Sequence, residues 1–324
     1  MKEALYYKKL NSAKVSCELC PHKCLIMPDC TGICRRRKNI DGILYAINYG
    51  KTVTVAVDPI EKKPLYHFYP GSKILSIGSN SCNLDCDFCQ NYEISQGKSK
   101  TYDITPETVY QLCLNHGLEM VAFTYTEPIT WYEFVLDCAK FLKEKDIKTV
   151  MVTNGFINPK PLQALLPYLD AMNIDLKSMD NEFYENICQA ELAPVLETIR
   201  IAHEQTHVEV TNLIVTGEND KLEQLERLVE FLTSVDINIP LHFSKYFPQY
   251  KRSSEPTSDA TMEIALEIGL RKLHYVYLGN MFSCVDSRCP ECNELLIRRL
   301  KQVESYLDNG NCPNCGFKIQ GVFA

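Results

Sequence analysis

Gly78-Ser79-Asn80-Ser81-Cys82-Asn83-Leu84-Asp85-Cys86-Asp87-Phe88-Cys89-Gln90-Asn91 is the stretch on which the reading of this chain turns. It directly follows Lys73-Ile74-Leu75-Ser76-Ile77, a short apolar run that reads as a strand. The spacing C-x3-C-x2-C puts three thiols on one loop. An ordinary [4Fe–4S] cluster takes four thiolates, so three local ones leave one iron without a protein ligand. Such an iron can bind and reduce a substrate or cofactor rather than only pass electrons on. The plainer alternatives are three buried cysteines or part of a zinc site. A polar loop directly after a strand favours the cluster.

The composition sets the bounds. At 324 residues, 45% hydrophobic and 23% charged, the chain has ordinary globular composition and can bury a large core. A net charge of −7 argues against general affinity for nucleic acid. The longest basic run, Arg35-Arg36-Arg37-Lys38, reads as a solvated loop, with an acidic partner as the alternative. No apolar stretch approaches the roughly 20 residues of a membrane helix, and Met1-Lys2-Glu3-Ala4 opens no secretory apolar core. A cytoplasmic protein is therefore expected. Its 16 cysteines then point to metal sites, since disulfides are rare in a reducing compartment. Thirteen of them fall in three clusters, over 17–34, 82–89 and 284–315, while Cys113, Cys138 and Cys188 read as small core residues.

Between the outer clusters the chain alternates. Apolar or β-branched runs at 74–77, 121–125, 148–153, 171–175, 208–215, 239–243 and 274–278 read as strands. Helical patterns lie at 105–116, 131–145, 159–168, 194–205, 220–234 and 258–270. Thr105-Pro106 opens the first of these as an N-cap followed by proline. This alternation predicts an α/β fold with a parallel sheet. Six or seven units are too few for a closed eight-fold barrel, so a partial (β/α)6-type barrel is expected, with ligands at the C-terminal strand ends. The expected division is a Cys-rich N-terminal module over 1–66, a core over 67–282 and a C-terminal module over 283–324.

Several strand ends carry polar motifs. Asp175 and Lys177 lie two apart, so both face one side of the strand; they form part of a cleft or an ordinary ion pair. His242-Phe243-Ser244-Lys245-Tyr246-Phe247 suits a substrate or adenosine pocket at His242, with core packing as the alternative for the aromatic residues.

The outer modules read as metal sites. Cys289, Cys292, Cys312 and Cys315 form C-x2-C-x19-C-x2-C, the spacing of a zinc ribbon, and a rubredoxin-like iron fits the same ligands. Cys284 lies close by without an evident partner. At the N-terminus Cys17, Cys20, Cys24 and Cys34 are the favoured ligands, with Cys30 or His22 as substitutes. They would hold a structural zinc or a second iron–sulfur cluster.

The cysteine loop resembles that of the radical S-adenosylmethionine (SAM) superfamily, whose open iron chelates the amino and carboxylate groups of SAM. The resemblance implies that Cys82, Cys86 and Cys89 are the catalytic cluster ligands, with Phe88 and Asn91 lining the cofactor site beside them. Tyr125-Thr126-Glu127-Pro128 stands where the superfamily usually has Gly-Gly-Glu-Pro at the SAM amino group; strand-end carbonyls can accept from an ammonium whatever the side chain. Thr153-Asn154-Gly155-Phe156 and Asp175-Leu176-Lys177 resemble segments of the glycyl-radical activating enzymes, such as pyruvate formate-lyase activating enzyme. There they lie near the SAM carboxylate and a small cation site. The activases usually carry an Asp before the Thr-Asn-Gly, and Val152 replaces it here.

From end to end the chain resembles the radical SAM enzymes of the AmmeMemoRadiSam system. The resemblance is carried by Cys17-x-Leu19-Cys20-Pro21-His22-x-Cys24, Gly42-Ile43-Leu44-Tyr45, Tyr66-His67-Phe68-Tyr69-Pro70-Gly71-Ser72, Tyr125-Thr126-Glu127-Pro128 and Tyr277-Leu278-Gly279-Asn280. It implies reductive cleavage of SAM to a 5′-deoxyadenosyl radical that abstracts hydrogen from a protein substrate. An electron donor of flavodoxin or ferredoxin type and AMMECR1-like and Memo-like partners are also implied. The alternatives are a small-molecule or peptide substrate, or an iron–sulfur and zinc scaffold that passes electrons without turnover.

Overall fold

A computed structural model describes residues 1–97, 99–281 and 285–323; Cys284 lies outside them. The central sheet contains β1 (Thr54–Pro59), β2 (Lys73–Gly78), β3 (Met120–Thr124), β4 (Lys148–Thr153), β5 (Ala171–Asp175), β6 (His207–Ile214), β7 (Leu241–Lys245) and β8 (Val276–Gly279). Neighbours in space are neighbours in sequence, from β8 at one edge to β1 at the other. Strands β2 to β8 run parallel, and β1 pairs antiparallel with β2, Val57 opposite Leu75. The parallel α/β core thus matches the alternation in the sequence. β1 falls inside the segment expected to form the N-terminal module.

The connecting helices are α1 (Pro106–His116), α2 (Tyr132–Lys143), α3 (Pro159–Leu165), α4 (Leu192–His203), α5 (Leu222–Val235) and α6 (Asp259–Leu270). Their ends follow local chemistry. Thr105 Oγ1 accepts from the Thr108 amide at 3.2 Å, Pro106 needs no amide partner, and Gly117 ends α1 in the left-handed conformation. Ser258 caps α6 through the Thr261 amide at 3.0 Å.

Because strand side chains alternate, the sheet builds two cores. Leu75, Val121, Met151, Ile174, Val210 and Phe243 pack against the helices in the larger one. On the opposite face Ile74, Ala122, Val150 and Ala171 meet Ile60, Leu65 and Phe68. The segment 60–72 therefore fills the helix-free face. The Tyr66 and His67 amides donate to Glu209 at 3.0 and 2.7 Å.

The two ends of the chain pack onto this frame. The N-terminal residues make two small antiparallel sheets, and Val15, Ile26 and Leu44 join the main core. Arg37 and Glu133 form an ion pair with almost no solvent exposure, anchoring this end to α2. The C-terminal strands Ser287–Arg288, Leu295–Arg299 and Val303–Ser305 pack beside β8, with Leu296 and Ile297 against Tyr275 and Tyr277. No helix among the described residues is long and apolar enough to cross a membrane.

Candidate functional site

The loop after β2 and the C-terminal ends of β3 to β8 converge on one cleft of about 270 Å³, near the lower end of small-molecule sites. Cys82, Cys86 and Cys89 all line it, as do Phe88 and Asn91. Phe88 is buried, its ring 5.9 Å from that of Phe183. Burial raises the Cys82 thiol pKa well above its ordinary value. Cys86 is also raised well above it, by the Cys188 thiol beside it and then by burial. Cys188 is a core residue, as the sequence suggested, and it stands behind Cys86 without lining the cleft.

The strand ends supply the polar wall. Tyr125, Thr126 and Glu127 follow β3, and all three line the cleft. Tyr125 sits where β2 leaves no room: a Cβ on Gly78 would lie 1.7 Å from the Tyr125 carbonyl oxygen. The superfamily's small residues are absent from the β3 end, and here the close approach is made possible by glycine on the neighbouring strand. The Tyr125 hydroxyl accepts from Lys63 Nζ at 2.9 Å, and Lys63 also donates to Asp58 at 2.9 Å.

Glu127 is buried and organises its neighbours. Its carboxylate accepts from Thr153 Oγ1 at 2.7 Å, the Asn154 amide at 2.8 Å and the Ile129 amide at 3.1 Å. Burial nevertheless lifts its pKa to about 7 against the pull of these donors. Asn154 continues the chain of contacts: its Nδ2 lies 3.5 Å from Cys82 Sγ and 2.9 Å from Asn83 Oδ1. Thr153, Asn154 and Val152 all line the cleft. Val152 adds no side-chain oxygen to this wall.

Asp175 and Lys177 line the same cleft and pair at 3.0 Å, so they form an ion pair at the cleft wall. Burial lowers the Lys177 pKa, but Asp175 and the neighbouring Cys86 outweigh it and leave a firm positive charge.

His242 is a correction. It does not reach the cleft; Ser244, two residues further along β7, does. His242 lies deeper on the helix-free face, its Nε2 2.7 Å from Glu209, which His207 meets at 3.0 Å on the other oxygen. Burial raises the Glu209 pKa, and hydrogen bonds from the two histidines more than reverse that. Residues at one side of a strand share a face whatever their depth, so alternation alone did not separate His242 from Ser244.

The basic run is a second correction. It is not a solvated loop. Arg35 donates to Gln96 and to the Ser95 carbonyl at 2.6 Å, Arg36 to the Asn80 carbonyl at 3.2 Å, and Arg37 is buried with Glu133. The run clamps the N-terminal residues onto the cysteine loop.

Away from the cleft, the sulfurs of Cys289, Cys292, Cys312 and Cys315 all lie within 4.8 Å of one another, an arrangement that could hold one metal ion. Cys17, Cys20, Cys24 and Cys34 line one cavity together with His22; Cys30 is exposed and takes no part.

Residues 76–232 match the Radical SAM superfamily. Over 335 aligned residues the chain is 40% identical to the uncharacterized protein MJ0808 of Methanocaldococcus jannaschii, covering 99% of this chain and 100% of that protein. The chain belongs to that protein's family and carries a radical SAM domain. The domain is homologous to pyruvate formate-lyase 1-activating enzyme of Escherichia coli K12, at 28% identity over 170 residues, 50% of this chain and 69% of that one. The structure of Streptococcus suis SuiB bound to S-adenosylmethionine shares the fold, with a TM-score of 0.52 at 15% identity, over 69% of this chain and 53% of that one. A radical SAM domain implies a [4Fe–4S] cluster and SAM. The cleft fits both, with three thiols at one wall and hydrogen-bonding groups at the facing strand ends.

Proposed function

We propose that this radical SAM enzyme holds its [4Fe–4S] cluster on Cys82, Cys86 and Cys89 and acts, as activating enzymes do, on a protein substrate. With SAM bound, the cluster supplies one-electron reductive cleavage of SAM to methionine and a hydrogen-abstracting 5′-deoxyadenosyl radical. The observation that carries the reading is the convergence of three thiols on one cleft with the strand-end motifs.

The surrounding residues then have separable tasks. Carbonyls of Tyr125 and Thr126 accept from the SAM ammonium. Glu127 holds the Thr153–Asn154 turn in place through two hydrogen bonds and accepts a third from the Ile129 amide in its own loop. Lys177, paired with Asp175, offers its charge to the SAM carboxylate and offsets the charge of the thiolates. Phe88 and Asn91 close the cleft beside the cluster and limit water there.

The wider assignment follows the same logic. The sheet is read as a partial barrel, its helix-free face filled by residues 60–72, with the bridge from Phe68 to Val322 supporting closure by the C-terminal module. The C-terminal four-cysteine set is read as a zinc ribbon. The end-to-end motifs support membership of the AmmeMemoRadiSam system, with a flavodoxin- or ferredoxin-type donor and AMMECR1-like and Memo-like partners in the cytoplasm.

The test is 5′-deoxyadenosine formation from SAM by anaerobic, reduced, cluster-reconstituted protein, read by mass spectrometry beside Cys82→Ser, Cys86→Ser and Cys89→Ser. Product from the unaltered chain alone supports the reading. Neither product nor SAM binding, with the cluster intact, contradicts it and favours an electron-transfer scaffold. The protein-substrate part is tested by hydrogen transfer from a candidate partner protein deuterated at glycine into 5′-deoxyadenosine; absence of deuterium in the product contradicts it for that partner.

A further inference from the structure

Three cysteine sets can be compared by how closely their sulfurs meet. A single tetrahedral ion bound at about 2.3 Å per thiolate draws its four sulfurs to about 4 Å from one another. Cys289, Cys292, Cys312 and Cys315 meet that limit, with Cys289 to Cys315 and Cys292 to Cys312 both at 3.5 Å. Cys17, Cys20, Cys24 and Cys34 share a cavity, yet among the described residues no three donors there, His22 included, come within 4.8 Å of one another. Among the described residues, Cys82, Cys86 and Cys89 likewise do not form such a close set. A shared cavity whose sulfurs are not drawn together as those of the C-terminal set are suits a cube of four irons, which takes one thiolate at each iron.

The N-terminal cavity also adjoins the cleft. Asn83, which follows Cys82, lines it. His22, between Cys20 and Cys24, meets the Asn83 carbonyl through Nε2 at 2.7 Å. Ser81, which precedes Cys82, donates to the Cys34 carbonyl. Both residues flanking Cys82 therefore touch the segment that carries the N-terminal thiols. Arg37 donates to Cys17 Sγ at 3.8 Å. A cation directed at a ligand sulfur favours the more negative, reduced state of a cluster.

We propose that Cys17, Cys20, Cys24 and Cys34 hold a second [4Fe–4S] cluster, which relays single electrons to the cleft. A flavodoxin- or ferredoxin-class donor reduces this cluster by one electron; the electron passes past Ser81 and Asn83 to the cleft cluster, and the N-terminal cluster returns to its oxidised state. No bond forms or breaks and no proton moves. The relay rests on the reading of the cleft given above; the N-terminal cluster itself does not.

The experiment uses the full chain carrying Cys82→Ser, Cys86→Ser and Cys89→Ser together, prepared anaerobically with iron and sulfide. This variant leaves the N-terminal ligands untouched and makes no demand on SAM chemistry. About four irons and four sulfides per chain, with an electron paramagnetic resonance signal after dithionite reduction, are expected. Zinc without iron overturns the proposal, and about two irons overturns the four-iron cube. Adding Cys34→Ser should remove the iron and leave the C-terminal metal; iron that persists overturns the ligand set. For the relay, the unaltered chain reduced at both clusters should show a spectrum broadened by magnetic coupling and absent from the triple variant. A spectrum that is the plain sum of two independent clusters overturns the relay.

Discussion

The cleft and the C-terminal module both gather cysteine thiols, and they do so in opposite ways. In the C-terminal module four sulfurs close on one another, and Cys289 and Cys312 are buried beneath Tyr275 and Leu296. Such a closed set leaves no coordination position for a substrate on any metal it holds. In the cleft three thiols face an open space walled by Thr126, Glu127, Asn154 and Lys177. The fourth cysteine nearby, Cys188, is buried behind Cys86 and leaves that space free. Ligand number and ligand convergence thus separate an open set of thiols from a closed one.

Substitutions can break that contrast, and the largest effect is expected in the cleft. Cys86→Ser should abolish 5′-deoxyadenosine formation while the melting temperature changes by only a few degrees, about 3 °C; turnover by the variant would show that Cys86 is dispensable. Gly78→Ala keeps every thiol but drives a Cβ into the Tyr125 carbonyl. It should retain its iron and bind SAM at least about tenfold more weakly by calorimetry, which is about 1.4 kcal/mol; unchanged affinity would mean that the β3 end takes no part in binding. Cys312→Ser should have the reverse profile. It should lose one metal ion and about 5 °C of melting temperature, with cleft iron and 5′-deoxyadenosine formation kept. Loss of cleft iron in that variant would erase the distinction between the two sites.

A smaller effect sharpens the comparison through pH. His67 ties segment 60–72 to the C-terminal module, donating from Nδ1 to the Gln320 carbonyl at 2.8 Å and accepting from the Tyr277 hydroxyl at 2.7 Å. Burial lowers its pKa to about 4. Between that value and about 6.5 the unfolded chain binds a proton that the folded chain does not. Stability is therefore full above about pH 6.5 and falls as pH drops, by up to about 1.4 kcal/mol per unit from this group. Denaturant titrations from pH 7 to pH 5 should show that slope, and His67→Gln should flatten it. An equal slope in the variant would assign the pH dependence elsewhere.

Much of this architecture was legible because parallel strands buried on both faces read as apolar runs. Met120–Thr124 and Ala171–Asp175 are buried almost throughout, and the helices show their own periodicity, with side-chain caps at Thr105 and Ser258. The edge strand β1 was not legible because its pattern is inverted: Val55 and Val57 are 45% and 42% exposed, while Asp58 is buried against Lys63. Within the site, the thiol spacing and the strand-end motifs are local in sequence and could be read. The depth of His242, the approach of Cys188 to Cys86 and the use of Arg35 to Arg37 as a clamp depend on contacts with segments far away in the chain. The arginine run in particular looks like a solvated loop until Glu133, Asn80 and Gln96 are placed against it.

The most direct test of an open iron in the cleft is electron–nuclear double resonance on the reduced protein, with SAM labelled at its amino nitrogen and carboxylate oxygen. Cys34→Ser protein would be used, so that the cleft cluster is observed without a second paramagnet. Hyperfine coupling of both labels to the cluster is predicted, and it should be absent without SAM. A cluster signal unchanged by labelled SAM, at concentrations where SAM is bound, would contradict direct ligation and with it the role assigned to Cys82, Cys86 and Cys89.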